Sequence, residues 1–192
     1  DGNYLIISAA TSTTGNELYI QDLRSEASTI VQIIDNFDND HWVIHSEGDM
    51  LFVKTNMDAP NGKVVTTTIQ DPMPATWVDF IEETENVLRV GTAGNKFFAN
   101  YLKDATSMVL QINADGSLER EIELPGVGSA GGFGGKLEDT ELYYSFTSYV
   151  YPPTIFKYNI ATGESEVYKK SGVKFDPTQF ESKQVFYTSK DG

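Results

Sequence analysis

The chain has 192 residues, of which 14 are basic and 28 are acidic, so its net charge at pH 7 is −14. This charge argues against nucleic acid and anionic membranes as partners, because few cations are available to neutralise phosphates. The absence of cysteine excludes disulfides, thiolate metal sites and cysteine nucleophiles.

One strand pattern recurs along the chain at a nearly constant spacing. Each copy follows a short polar turn, and a period of about 40–50 residues with several strands per unit is typical of propeller blades. The pattern therefore predicts an all-β propeller. The comparable positions are Tyr4, Leu51, Phe97, Leu142 and Phe186, which are 47, 46, 45 and 44 residues apart.

About four strands are predicted for each repeat, because runs rich in β-branched and aromatic residues alternate with Gly, Pro, Asn and Asp. We expect three complete blades at 41–84, 85–128 and 129–172, a partial blade at 1–40, and one or two strands after 172. In chain order the predicted strands are 4–7, 18–21, 30–34, 41–45, 51–53, 64–69, 77–81, 87–90, 97–99, 108–112, 118–124, 129–133, 142–144, 155–158, 166–169 and 185–187.

Residues 77–85 come nearest to a helical periodicity, and we predict a strand followed by a turn there. Pro152 and Pro153 are expected at a break between strands, where a missing N–H matters least.

Residues 126–131 match the GxGxxG pattern of dinucleotide-binding proteins. The residues that follow are Gly-Phe-Gly-Gly, which cannot begin the helix that such a site needs. We interpret this segment as an inner strand with little side-chain bulk. Asn113, Asp115 and Gly116 resemble part of a calcium loop, but Gln111 and Ile122 stand where an EF-hand needs Asp and Glu, so a simple turn is preferred.

His41 and His45 are the only histidines, and their spacing on a strand predicts that they face the same side. A zinc site would need a third ligand at a useful spacing, so both are interpreted as structural. Asp35, Asp38 and Asp40 could hold a weakly bound cation, although a solvated loop is preferred. The sequence assembles no nucleophile, base and oxyanion hole, so we predict no catalytic residue, cofactor or metal in this chain.

Several segments, in the same order, resemble the propeller of the prolyl oligopeptidase family. Residues 139–149, the prolines at 152 and 153, and residues 155–158 are together similar to its last blade, and the Tyr-Tyr-Ser-Phe-Thr-Ser block is the most specific part. The other similar segments are 1–8, 16–19, 22–23, 34–37, 52–56, 59–61 and 185–192.

This resemblance implies a seven-bladed propeller joined to an α/β-hydrolase domain, in a serine peptidase that cleaves short peptides after proline. The propeller of such enzymes limits access to the active site, and the catalytic Ser, Asp and His belong to the hydrolase domain. Residues 1–177 would then be the second half of the propeller, and residues 178–192 the start of the crossover into the hydrolase domain. By itself the chain is expected to be inactive.

The same resemblance implies the partners of the chain. They are the first half of the propeller, the hydrolase domain and short proline-containing peptides, and we also expect an isolated fragment to self-associate. The expected location is the cytoplasm, or the periplasm if the parent protein is bacterial and carries a signal peptide. The alternative is a non-enzymatic propeller that binds proteins, and a dipeptidyl-peptidase-type propeller is a third interpretation.

The resemblance also points to the loop at residues 9–15, because the corresponding loop of the family reaches the substrate cleft. Mammalian members carry an Arg and a Cys there. Ala10 is near the Arg position, and Ser12 or Thr13 is near the Cys position. These three residues are the candidates for a substrate-cleft loop.

Overall fold

The structure is a computed structural model and describes residues 2–176 and 179–190. The described residues form fifteen strands and one short 3₁₀ helix, arranged as three four-stranded sheets and one three-stranded sheet, all antiparallel. This confirms the all-β prediction. No helix among these residues is long and apolar enough to cross a membrane. The chain separates into two compact units, residues 1–89 and 90–192, which are described in turn.

The first unit contains two sheets whose strands follow one another in chain order. Apolar side chains of both sheets form one core, in which Leu18 and Ile20 of the first sheet lie with Leu51, Val53 and Val65 of the second. The strands are β1 (Tyr4–Ala9), β2 (Glu17–Asp22) and β3 (Val31–Ile34), then β4 (His41–Glu47), β5 (Met50–Thr55), β6 (Lys63–Thr68) and β7 (Val78–Ile81), with the 3₁₀ helix at Pro74–Thr76 before β7.

The second unit also contains two sheets whose strands follow one another in chain order, and here both sheets have four strands. The first strand, β8, begins with the last residues of the first unit. The strands are β8 (Val87–Ala93), β9 (Lys96–Lys103), β10 (Thr106–Asn113) and β11 (Leu118–Glu121), then β12 (Ser129–Gly131), β13 (Glu141–Ser148), β14 (Tyr151–Asn159) and β15 (Ser165–Lys170).

Strand β13 shows how the two sheets of the second unit pack against each other. Its side chains alternate between buried and exposed, with Leu142, Tyr144 and Phe146 buried, as expected when one face of a strand meets a core. Tyr144 stacks against Phe133 at 4.7 Å and against Phe156 at 5.2 Å between ring centroids. Aromatic pairs at these distances add about 0.5–1.5 kcal/mol beyond the burial of their area.

A buried polar network joins the two sheets of the second unit. Gln111, which is fully buried, donates to the backbone oxygen of Ile160 and to Glu119, each at 2.9 Å, and accepts from the hydroxyl of Tyr158 at 2.5 Å. Burial raises the pKa of Tyr158 to about 12, so its hydroxyl stays protonated and donates at neutral pH. Because every polar atom of the amide has a partner, the network fixes how the two sheets pack.

Glu119 makes the stability of this unit depend on pH. The Lys96 ammonium bonded to Glu119 lowers the pKa of this carboxyl, and the two groups are 2.8 Å apart. A carboxyl with a lowered folded-state pKa stabilises the fold above its unfolded pKa, and this contribution is lost as the pH falls through the folded pKa. The melting temperature of E119Q should therefore lie below wild type at pH 7, with the difference shrinking as the pH falls below about 4.5.

The matched control for this prediction is Glu121→Gln, because Glu121 is an exposed carboxylate on the same strand. Thermal melts between pH 3 and pH 7 should leave E121Q close to wild type throughout. A difference between wild type and E119Q that stays constant across this range would contradict an electrostatic role for Glu119.

Several local predictions need correction. Pro152 and Pro153 lie inside β14 rather than at a break. They are tolerated there because the pairing of β13 with β14 is interrupted between Phe146 and Ser148, so neither proline N–H is needed for the ladder. The strand predicted at 118–124 ends at Glu121. No strand is present in 179–190, where the fifth copy of the repeat was expected.

The glycine-rich segment contains the short strand β12 at one edge of its sheet, and no helix follows it among the described residues, as expected for a strand rather than a dinucleotide site. Its position next to a propeller axis stays a prediction. A Cβ at Gly128 would lie 2.5 Å from the backbone oxygen of Thr147 and 2.6 Å from the ring of Phe146. The close approach of neighbouring residues, rather than a bound phosphate, explains this glycine. The domain boundary at 177 and the crossover at 178–192 stay predictions, and residues 177, 178, 191 and 192 lie outside the described part.

Candidate functional site

The loop between β1 and β2, residues 10–16, is exposed at its tip and fixed at its base. Ala10, Ser12 and Thr13 are all exposed. The hydroxyl of Ser12 donates to the backbone oxygen of Thr14 at 2.9 Å, which makes a local turn. The structure therefore places the three predicted side chains on an accessible loop, and their role at a substrate cleft stays a prediction.

Gly15 forms one anchor at the base of this loop. Its N–H donates to Oδ1 of Asp40 at 2.7 Å, and its φ is +74°, in the left-handed region. A Cβ at this position would lie 1.8 Å from the backbone oxygen of Phe37. Only glycine meets both constraints, since other residues would be strained and would clash with the backbone.

Asn16 forms the second anchor and was not singled out from the sequence. Its buried amide group accepts from the N–H of His41 at 2.7 Å and donates to the backbone oxygen of His41 at 3.0 Å. Its own N–H donates to the backbone oxygen of Asn39 at 3.0 Å. The loop base in the first sheet is thereby bonded to the chain that enters the second sheet. A polar residue directly before a buried strand is the only sequence signal for this contact.

His41 lies behind these anchors and is 1% exposed. Its Nδ1 is 2.9 Å from the hydroxyl oxygen of Thr55, which also accepts from the N–H of Met57 at 3.0 Å. The buried Thr55 hydroxyl proton needs an acceptor, and Nδ1 is the one it meets. Burial lowers the pKa of His41, so the ring is neutral at pH 7 and its proton is on Nε2.

The prediction that His41 and His45 face the same side is wrong. A bulge in β4 shifts the register between Val43 and His45, so that His41 pairs with Thr55 and His45 pairs with Phe52. Partners three residues apart on β5 lie on opposite faces of the sheet. The bulge thus separates the two histidines and excludes a zinc site that would use both.

A pocket of about 380 Å³ lies next to the loop base, within residues 32–74. We call it the His41 pocket. Its lining includes His41, the apolar side chains of Met57 and Met73, and the rim carboxylates of Asp35 and Asp38. No group of three or more His, Cys, Asp or Glu in the described part of the chain is arranged to hold a metal ion.

The aspartates and the turn that resembled a calcium loop have local roles. Asp115 Oδ1 accepts from the N–H and from the hydroxyl of Ser117, which makes a polar turn, as preferred from the sequence. Asp40 accepts from the loop base, and Asp35 accepts from the Asn36 amide at 3.2 Å. These contacts stabilise local turns and loops.

Antiparallel four-stranded sheets that follow one another in chain order, with a core between neighbours, define this chain as a β-propeller fragment. The family model for the prolyl oligopeptidase N-terminal β-propeller domain matches residues 1–171. The chain belongs to this family.

Individual relatives agree with this assignment. The chain is 52% identical over its whole length to prolyl endopeptidases of Elizabethkingia miricola and Elizabethkingia meningoseptica, and it spans 27% of the length of each. A solved structure from a study of two prolyl endopeptidases and of inter-domain dynamics matches the whole chain with a TM-score of 0.88 and 32% identity, over 28% of that protein. Prolyl oligopeptidase B from Galerina marginata, bound to a 35-residue substrate, matches with a TM-score of 0.86 and 26% identity, again over 28%.

Proposed function

We propose that this chain is part of the propeller of a longer protein, and that this longer protein is a prolyl endopeptidase, which hydrolyses short peptides after proline. The observation that supports this most is the 52% identity, over the whole chain, to two proteins that carry this name. In this proposal the chain contributes no catalytic residue. The catalytic Ser, His and Asp are supplied by an α/β-hydrolase domain, and the propeller restricts which peptides reach it.

The test uses the full-length protein with two fluorogenic peptides that differ only in having proline or alanine before the scissile bond. Cleavage of the proline peptide alone is expected. The gene beyond Gly192 should also encode a Gly-X-Ser-X-Gly segment for the nucleophile. No cleavage of either peptide by a folded protein, or absence of that segment, would overturn the proposal.

Within this function, the exposed loop tip at Ser12 and Thr13 lines the substrate path. A bulky residue there would obstruct bound peptide, so S12W and T13W should each lower kcat/KM for the proline peptide by about tenfold, or about 1.4 kcal/mol. The matched control is Ser25→Trp, at an exposed position beyond the other end of β2. If all three variants retain wild-type kcat/KM, the loop does not line the cleft, while the peptidase proposal stands on the wild-type activity.

We further propose that an isolated 1–192 fragment self-associates. Its first strand, β1, lies at the edge of its sheet, and its side chains Leu5, Ile6 and Ile7 are 36–40% exposed. An unpaired strand edge beside exposed apolar side chains favours pairing with another chain. Light scattering of the fragment should show species larger than a monomer, and a monodisperse monomer at high concentration would contradict this. For the full-length protein we propose a cytoplasmic location, with the periplasm as the alternative if the protein carries a signal peptide. Cell fractionation distinguishes the two.

A further inference from the structure

The His41 pocket offers three kinds of contact to a ligand: a hydrogen-bond donor at its floor, apolar walls, and carboxylates at its rim. From this combination we propose that the pocket binds the amino-terminal residue of a peptide. The ammonium group lies at the rim, the side chain lies between the walls, and the carbonyl oxygen accepts a hydrogen bond from the floor. This site involves no peptidase chemistry and does not depend on the proposed activity.

The floor of the pocket is the His41 ring, of which one nitrogen, Nδ1, already has a partner within the protein. His41 is 1% exposed and lines the pocket, and its Nδ1 faces the Thr55 hydroxyl. The hydroxyl proton of Thr55 is directed to Nδ1, because the other contact of this hydroxyl among the described residues is a donor, the Met57 N–H, and Nδ1 is the acceptor within reach. Nε2 then carries the ring proton. An N–H at Nε2 can donate to an acceptor such as a peptide carbonyl.

The walls suit one apolar side chain. Met57 and Met73 line the pocket together with Ile33 and Ile34. Methionine side chains are unbranched and polarisable, so they adapt to different apolar shapes. The volume of about 380 Å³ is at the lower end of the range for small-ligand pockets and fits a residue or two of a peptide.

The rim carries negative charge that no Lys or Arg of the described residues pairs with. Among the residues that the structure describes, neither Asp35 nor Asp38 forms an ion pair with Lys or Arg. Asp35 accepts from the Asn36 amide and keeps acceptor capacity for an ammonium group. A free peptide amino terminus is therefore favoured over a blocked one.

The pocket also shares its wall with the loop base. Asn39 lines the pocket, and its backbone oxygen accepts from Asn16, while His41 is bonded to the Asn16 side chain. A peptide bound in the pocket would thus contact the same segment that holds the β1–β2 loop.

The test is calorimetric titration of the full-length protein with Leu-Ala-amide and with its N-acetylated form, neither of which contains proline. Wild-type protein should bind the free amine at least fivefold more tightly than the acetylated form. D35N/D38N should lose this preference, because both substituted side chains are exposed and only the rim charge changes. His41→Phe should weaken binding of both forms by about tenfold.

His45→Phe is the matched control, since His45 is on the same strand and does not line the pocket; it should bind both forms as wild type does. Undetectable binding, equal binding of the two forms, or a preference that persists in D35N/D38N would each overturn the proposal. If His41→Phe fails to fold, the rim variant alone decides the outcome. Binding unchanged in a folded His41→Phe variant would place the ligand elsewhere and would also overturn it.

Discussion

Replacing Phe98 by alanine should lower the free energy of unfolding of the second unit by about 3–5 kcal/mol. Phe98 is fully buried in the core between its two sheets. Its ring lies 6.3 Å from the ring of Phe133 and 6.2 Å from that of Tyr158, measured between centroids. Alanine would leave a cavity that these rings cannot fill by collapse, because both are held by other contacts of the same core.

The effect is measured in the full-length protein by denaturant titration followed by hydrogen exchange of peptides from residues 90–176. These peptides should exchange at a lower denaturant concentration than in wild type. Leu102→Ala is the matched control, since Leu102 is on the same strand and 52% exposed, and it should change stability by less than about 0.5 kcal/mol. An equal loss of stability in both variants would show that Phe98 does not stabilise the packing of the two sheets.

The strand repeat was predictable because each blade buries alternate residues of its strands. Leu142, Tyr144 and Phe146 are separated by polar or exposed residues, and this period of two is visible in the sequence. The spacing of the repeats then groups the strands into sheets. What could not be predicted is the end of a strand such as β11, since residues 122–124, Ile-Glu-Leu, are more apolar than the strand itself and continue its alternation.

The two histidines show why the facing of side chains on a strand could not be predicted from the sequence. Whether His41 and His45 share a face depends on how β4 pairs with β5, and the bulge after Val43 belongs to that pairing. A single strand carries no signal of the register that its neighbour will adopt. For this reason the sequence does not show which of the two histidines lines a pocket, although His41 does and His45 does not.

The candidate site was predictable only at its tip. The resemblance pointed to Ala10, Ser12 and Thr13, whereas the residues that hold the loop are Gly15, with its left-handed φ, and Asn16. Contacts between Asn16 and His41 join residues 25 positions apart and run from a side chain to the backbone. Such contacts leave no periodicity in the sequence, so they appear only when the two sheets are seen together.

Substitution of Asn16 by alanine should lower stability by about 2–4 kcal/mol and loosen the β1–β2 loop. The change leaves both the N–H and the backbone oxygen of His41 without their side-chain partner in a buried site, and each unsatisfied group costs about 1–3 kcal/mol. Hydrogen exchange should accelerate at residues 10–16 and at the His41 amide in particular. Thr11→Ala, at an exposed position of the same loop, should exchange as wild type does.

The position of the exchange effect decides between two roles for Asn16. If its amide only fills space, the whole first unit should be destabilised evenly, and the His41 amide should exchange no faster than its neighbours on β4. If it positions the loop, acceleration should be greatest at the loop and at His41, and kcat/KM of the full-length protein for the proline peptide should fall further than its stability at the assay temperature explains. The pair of hydrogen bonds to a single residue favours the second result, because together they fix the direction of the chain as it leaves the loop.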